Sequence, residues 1–484
     1  MNKLKKTLAL VATLAISATA FVGCGKDDSS SSSSSSSSKA ESSSEAESSA
    51  AESSEANNGG AATGAFEYKG TLPTGGDKMT VLCWTGDDLD VMLKGWEADT
   101  GVDASKVNFK NFQVGGGEAA AQYDQYFLGG EDVDMLMVEA DWALKYINDD
   151  TATAPLEALG FTDADFANQY AYTQEIGKAT EGANAGKMVG TSWQAAPGGW
   201  CYRTDLADSY LGVKTPEEMQ KKVADWDAFQ ATAKEVSEKS GGKTALTTTL
   251  GGIWQAFAAN RTTPWVKDGA LVIDDSCNTF IDLAKNMRDN KYVTEANQWT
   301  DEWYAAGQTD DTMGYFVSTW GFGDAILNKA AGGEGGATYG KWNVCVGPTP
   351  YFWGGTWACA SPKTDNADMV ASFINYFTVD TETMKEYALA KPDYVNNMTA
   401  MQAIVDEKSN SNALLGGQDQ FAVLHEGAQK INLNGLITPY DASIKTAFLD
   451  AVNAYCAGET KDAAACLDDF KNRVAESVTD IKVG

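Results

Sequence analysis

Apolar positions between Met79 and Val138 follow two alternating rhythms. Met79-Thr-Val-Leu-Cys-Trp84 is a nearly unbroken apolar run halted by Thr85-Gly86, the pattern of a short buried strand. Leu89, Met92, Leu93 and Trp96 then recur at i, i+3, i+4 and i+7. That spacing predicts an amphipathic helix, with Asp87 and Asp88 offering an N-cap and Gly101 closing it. A second extended stretch, Lys106 to Phe112, leads through Gly115-Gly-Gly117 into an alanine-rich helix from Glu118 to Leu128. Val133-Asp-Met-Leu-Met-Val138 reads as a third strand and runs into Glu139-Ala-Asp-Trp142. Strand, helix, strand, helix, strand, with apolar strands, predicts a parallel sheet covered on both faces. Ligands of such sheets sit beyond the carboxyl ends of the strands. Those ends carry Trp84 to Asp88, Gln113 to Gly117, and Glu139 to Trp142.

Further along, Lys187 to Arg203 is extended, with a Pro197-Gly-Gly199 joint in its middle. Thr215-Pro216 predicts an N-cap followed by proline at the first helical position. Trp226, Phe229, Ala233 and Val236 again keep helical spacing. Near the end of the body, an extended run from Trp342 to Val346 breaks at Gly347-Pro-Thr-Pro350. Tyr351-Phe-Trp353 follows on a Gly354-Gly355 turn, and a second extended run covers Thr356 to Ala360. Proline is excluded from central strands, so the aromatics between the two runs lie on a connecting segment. Large aromatics on a connector say more about function than aromatics on a core face. Met369 to Phe377, Thr381 to Ala390, Asp441 to Ala457 and Ala463 to Val478 complete the expected helices. The pattern contains no internal repeat and no heptad run.

Before the folded body the composition changes twice. Met1 to Lys6 carries three lysines, Thr7 to Val22 is apolar and small, and Gly23-Cys24 follows. A basic segment, a short apolar segment and a small residue before the cut predict a secretory signal over residues 1–23. Residues 24–77 follow as a tether, and 25–65 within it are rich in Ser, Glu and Ala. That stretch has nothing to bury, so a disordered coil is expected, with an end-to-end distance on the order of 35 Å. The formal net charge of −30 argues against nucleic acid or an anionic membrane surface as a direct partner. Seven cysteines besides Cys24 are spread along the chain without a C-x-x-C pair. Most are expected as small buried residues, with a disulfide conceivable only for Cys456 and Cys466.

Catalysis finds little support. A single histidine, His425, removes most histidine-based triads and HExxH zinc sites, and neither G-x-S-x-G nor a phosphate loop is present. Asp132-x-Asp134 and Asp163-x-Asp165 are too short for a calcium loop. No catalytic residue, metal or cofactor is therefore expected. A glycosidase built on a carboxylate pair stays open in principle.

Four landmarks, in order, resemble the extracellular solute-binding lipoproteins of bacterial ABC importers, in the branch that carries oligosaccharides. They are Asp99-Thr-Gly-Val102 after the first helix, the Val133 to Val138 strand, the run from Trp200-Cys-Tyr-Arg203 to Asp225-Trp-Asp-Ala-Phe229, and Trp320-Gly321 through Gly354-Gly-Thr-Trp357 to Phe373-Ile374. Gly23-Cys24 is similar to a lipobox, with Phe21 in place of the usual leucine. The resemblance implies an α/β, two-lobed periplasmic-binding-protein-like (type II) fold with a hinge and an interlobe cleft. The first lobe would take residues 78–195 plus about 355–400, and the second 196–354 plus about 401–484. Crossings are expected at about Gln194-Gly199 and Phe352-Thr356, with a third near 395–415. The resemblance also implies lipidation of Cys24, attachment to the outer face of the cell membrane, permease subunits as partners and a monomeric state.

A sugar ring offers an apolar C–H face and a rim of hydroxyls, so its receptor needs aromatic platforms with carboxylates and amides at their edges. Trp84, Trp142, Trp193, Trp254, Trp320, Trp353 and Trp357 are the candidate platforms, each of which could instead be plain core. Asp87, Asp88, Glu139 and Asp141, together with Gly355 of the turn, complete the candidate ligand-binding set. Gln113 and Gln194 are weaker candidates, and Arg203 is expected to pair with a carboxylate structurally. A cationic solute such as a polyamine, held by carboxylates and indole faces, is the alternative ligand.

Overall fold

The computed structural model describes residues 66–84, 87–112 and 116–484. The signal segment, Cys24, the tether up to residue 65, Gln113 and the side chains of Asp87 and Asp88 lie outside the described residues. Among the described residues ten strands form three sheets. In chain order they are β1 (Met79–Cys83), β2 (Val107–Asn111), β3 (Met135–Glu139), β4 (Gly190–Ser192), β5 (Gly198–Arg203), β6 (Val266–Lys267), β7 (Ala270–Leu271), β8 (Gly314–Ser318), β9 (Trp342–Cys345) and β10 (Thr356–Ala360).

The first sheet has the order β2-β1-β3-β10-β4. β1 pairs in parallel with β2 and with β3, as the apolar runs predict. Every residue of β1 is buried, whereas β2, at the sheet edge, is only half-buried along its length. The sheet as a whole is not parallel: β10 runs antiparallel to both β3 and β4. The reason is where β10 comes from. It returns from the second sheet and enters beside the carboxyl end of β3, with Thr356 opposite Glu139, so it must run down the sheet. Asp134, just before β3, ties this edge together. Its carboxylate accepts from the Thr80 N–H (2.7 Å), the Thr364 hydroxyl (2.6 Å) and the Asn366 amide (3.2 Å).

The second sheet is antiparallel, β8-β5-β9, and the third is the small β6-β7 hairpin. Alternation along β5 feeds two cores. Trp200 and Tyr202 pack with Phe229, Phe316 and the helices around Trp254 and Phe448. Cys201 points the other way, into a core that continues to the first sheet. The helix start read from the sequence at Thr215-Pro216 is present, Thr215 accepting from the Glu218 N–H, and Asp225 caps the next helix by accepting from the Ala228 N–H.

The chain passes between the sheets in extended segments that lie side by side. Residues 193–197 join β4 to β5, and residues 346–355 join β9 to β10. The Trp353 N–H donates to the Ala196 carbonyl (3.0 Å) and the Gly198 N–H to Tyr351 (2.8 Å). A third segment, 393–396, flanks the first: Ala195 N–H donates to Tyr394 O (3.1 Å) and Asn396 N–H to Trp193 O (2.7 Å). It is extended and precedes the Met398–Glu407 helix, close to the third crossing the resemblance placed near 395–415. The turn into β10 requires glycine, since Gly354 and Gly355 have φ of +74° and +98°. A Cβ on Gly355 would also stand 3.3 Å from the Trp357 ring. Ala196 holds φ +49° without that freedom, a strained residue at the crossing.

Candidate ligand-binding cleft

A cavity of about 200 Å³ opens where the crossings meet the two sheets. Asp141, after β3, contributes one wall, and Thr349 to Gly354 of the crossing form the floor. The opposite wall comes from Trp254, Arg261 and Trp265 and from Asp441 and Lys445, with the loop from Lys430 to Ile437 at the rim.

Trp353 is shared between this cavity and an aromatic cluster beside it. Its ring lies 5.0 Å from Trp320 and 5.9 Å from Trp299, while Trp299 and Trp320 stand nearly parallel at 6.3 Å. Trp320 and Trp353 are half-buried, and Trp299 is 48% exposed. Trp299 has φ +72°, a backbone state that a bulky residue adopts only when its surroundings impose it. Nothing in the hydrophobic pattern singled it out: it sits in the loop ahead of the Asp301–Gln308 helix, and only the fold brings it to Trp353.

The other candidate indoles are placed differently. Trp142 is buried edge-on against Tyr123 and Tyr146. Trp357 is 1% exposed and its Nε1 donates to the Thr173 carbonyl, so it presents no face to the cleft. Trp254 is likewise deep in the core, 4.7 Å from both Phe280 and Phe448, and gives the cavity only part of its wall. Strand-end position does not separate these cases, because a ring at a strand end can fold back over the sheet. Trp84 is half-buried and Trp193 is buried, and both keep a buried Nε1 without a partner. Gly355 serves the turn, its carbonyl accepting from the Ala140 N–H.

The charged groups around the cavity form a network. Lys445 pairs with Asp141 across 304 residues of chain. Burial alone would lower the Lys445 ammonium, but Asp141, through its charge and its hydrogen bond, holds it above its ordinary value. Glu139 accepts from the Asp141 N–H (3.0 Å). Burial, reinforced by the Asp141 charge and against the pull of Lys445, pushes its carboxyl up to about 8. Asp441 is raised to about 6 by burial against the pull of Arg261. Its Oδ1 accepts from both the N–H (3.0 Å) and the hydroxyl (2.5 Å) of Thr438.

Gln194 lies at the crossing and donates to Asp393 (2.8 Å). Arg203 is engaged elsewhere, by Asp205 (2.8 Å) and the Thr309 carbonyl (2.8 Å). His425 Nδ1 faces the Tyr394 hydroxyl at 2.7 Å, outside the cavity. Cys456 and Cys466 are buried free thiols, so the pair is unbridged. Among the described residues no cluster of three or more His, Cys, Asp or Glu could hold a metal ion, and no helix is long and apolar enough to cross a membrane.

The chain belongs to the bacterial extracellular solute-binding proteins, whose family profile matches residues 92–415. Its fold is similar to that of an extracellular solute-binding protein of family 1, at 16% identity, covering 82% of this chain and 99% of that one with a TM-score of 0.68. It is also similar to the transporter-associated binding protein of B. animalis subsp. lactis Bl-04 solved with beta-1,6-galactobiose (17% identity, 83% and 97% covered, TM-score 0.63). A third likeness is to the galacto-N-biose/lacto-N-biose I-binding protein of Bifidobacterium longum solved with lacto-N-biose (13% identity, 86% and 100% covered, TM-score 0.63). Among curated proteins no relative matches. The two-lobed α/β architecture expected from the sequence is thereby that of the chain.

Proposed function

We propose that this protein is the substrate-binding component of an ABC importer and that it captures an oligosaccharide between its lobes. One observation carries this reading: the cavity is bounded at the crossing by Trp353, which leads into the exposed Trp299 and the half-buried Trp320 rings. Flat apolar faces beside hydrogen-bonding edges match the two-sided chemistry of sugar rings. The galactobiose and lacto-N-biose held by structurally similar proteins point to the same class of ligand. A polyamine fits less well, because Asp141, a carboxylate on the cavity wall, is already held by Lys445. A glycosidase fits less well too. Glu139 and Asp141 neighbour each other on one segment rather than flanking a bond from opposite sides.

Cys24 would carry the lipid, the serine-rich tether would hold the body off the outer face of the membrane, and the closed lobes of a monomer would dock on separate permease subunits. Titration of the full chain with neutral disaccharides to tetrasaccharides, followed by tryptophan fluorescence and calorimetry, tests the central statement. Binding of at least one glycan is expected; a blank across the panel together with a response to spermidine would overturn it.

A further inference from the structure

One wall of the cavity holds a guanidinium that is only partly paired. Arg261 is only 8% exposed, yet its Nε and Nη1 are buried without a hydrogen-bond partner. The carboxylate facing it, Asp441 Oδ2, is 3.6 Å from Nη2, beyond hydrogen-bonding length. Asp441 spends its other oxygen on Thr438, so it is an incomplete counter-ion. The Trp265 ring lies 4.8 Å from the guanidinium carbon and fixes the group in place. Burying a charge whose donors stay unfilled is among the least favourable arrangements a folded chain can hold. It persists readily where a ligand completes the set.

Taking the cleft as a glycan site, as above, we propose that the glycan it captures is acidic, with a uronic acid carboxylate docking on the unfilled donors of Arg261. A neutral hydroxyl would satisfy one N–H and leave the charge uncompensated, whereas a carboxylate supplies two oxygens and the missing negative charge. A doubly charged phosphate would bring excess charge close to Asp441 and Asp141. Of the other cations on the cavity, Lys445 is committed to Asp141 and Lys430 to Glu426 (2.8 Å). Arg261 is thus the group left for an anionic guest, in a chain whose net charge of −30 otherwise repels one.

The test is calorimetry on the full chain with short oligosaccharides of galacturonic, glucuronic and mannuronic acid, each beside its methyl ester. The ester keeps the ring and removes the charge. At least one acid is expected to bind tenfold or more tightly than its ester, with added salt narrowing the gap. Arg261→Met should erase the difference, while Arg261→Lys, which keeps a point charge, should retain part of it. If Arg261→Met fails to fold, Arg261→Lys decides, since loss of the guanidinium fork should still weaken the acid relative to its ester. Equal affinity for acid and ester, a preference that survives Arg261→Met, or one that Arg261→Lys leaves undiminished, overturns the proposal. Binding of neutral glycans alone would sink the acidic guest and leave the glycan receptor standing; silence toward every saccharide would remove both.

Discussion

Trp320 Nε1 donates a hydrogen bond to the carbonyl oxygen of Trp353 at 2.8 Å, with the two rings 5.0 Å apart and nearly perpendicular. The bond fixes the crossing to the Thr319–Phe322 turn that follows β8. It also orients the Trp353 ring, since the next two residues are glycines with positive φ and impose no side-chain constraint. The platform is therefore pre-organised by the backbone of the crossing itself.

Trp353→Ala removes that platform while leaving the main-chain bond in place. Glycan affinity is expected to fall by at least ~1 kcal/mol, with little change in melting temperature, because the ring is half-buried. Superimposable titration curves for variant and parent would take Trp353 out of the site.

Trp299→Gly separates binding from stability in another way. Its φ of +72° is unfavourable for tryptophan and natural for glycine. The melting temperature should hold or rise, while affinity for longer glycans drops several-fold. A variant that binds as well as the parent would show the exposed ring to be incidental.

The sequence carried local structure further than it carried the site. β10 was bounded correctly as Thr356 to Ala360 after the Gly-Gly turn, and Thr215-Pro216 announced its helix. The direction of β10 was not legible, since a strand's pattern is the same read either way and only its entry from the other sheet makes it antiparallel. Among the tryptophans, Trp353 lies where connector prolines and glycines suggested. Trp142 and Trp357 turn inward because Tyr123, Tyr146 and Thr173 offer partners there. Arg261 and Lys445 gave no local signal. Their meaning comes from Trp265, Asp441 and Asp141, groups brought close only in three dimensions.

Glu139 gives stability a pH dependence of defined sign. Its folded carboxyl is raised to about 8, whereas an unfolded one titrates near ~4.3. Between these values the folded state keeps a proton the unfolded state has released, so stability declines as pH rises through the window. Glu139→Gln abolishes this contribution. The melting temperature of the variant relative to the parent is expected to be higher at pH 8 than at pH 5; a difference independent of pH would contradict the assignment.

Asp134→Ala should be among the more destabilising single changes in the first sheet. It strands the Thr80 N–H, the Thr364 hydroxyl and the Asn366 amide at a buried edge, for a loss of roughly 3 kcal/mol in denaturant unfolding. A loss below about 1 kcal/mol would mean that water replaces the carboxylate there.

Lys445 and Asp141 reach across the gap using only the chain's own groups, and both side chains remain partly open to solvent. The empty receptor thus carries some of its own closing force. Ionic strength acts on that share in part, because a partly buried pair is screened, though less than an exposed one. In concentrated salt the vacant jaws should gape wider, while a filled pair of jaws, stapled by its cargo, should hardly notice.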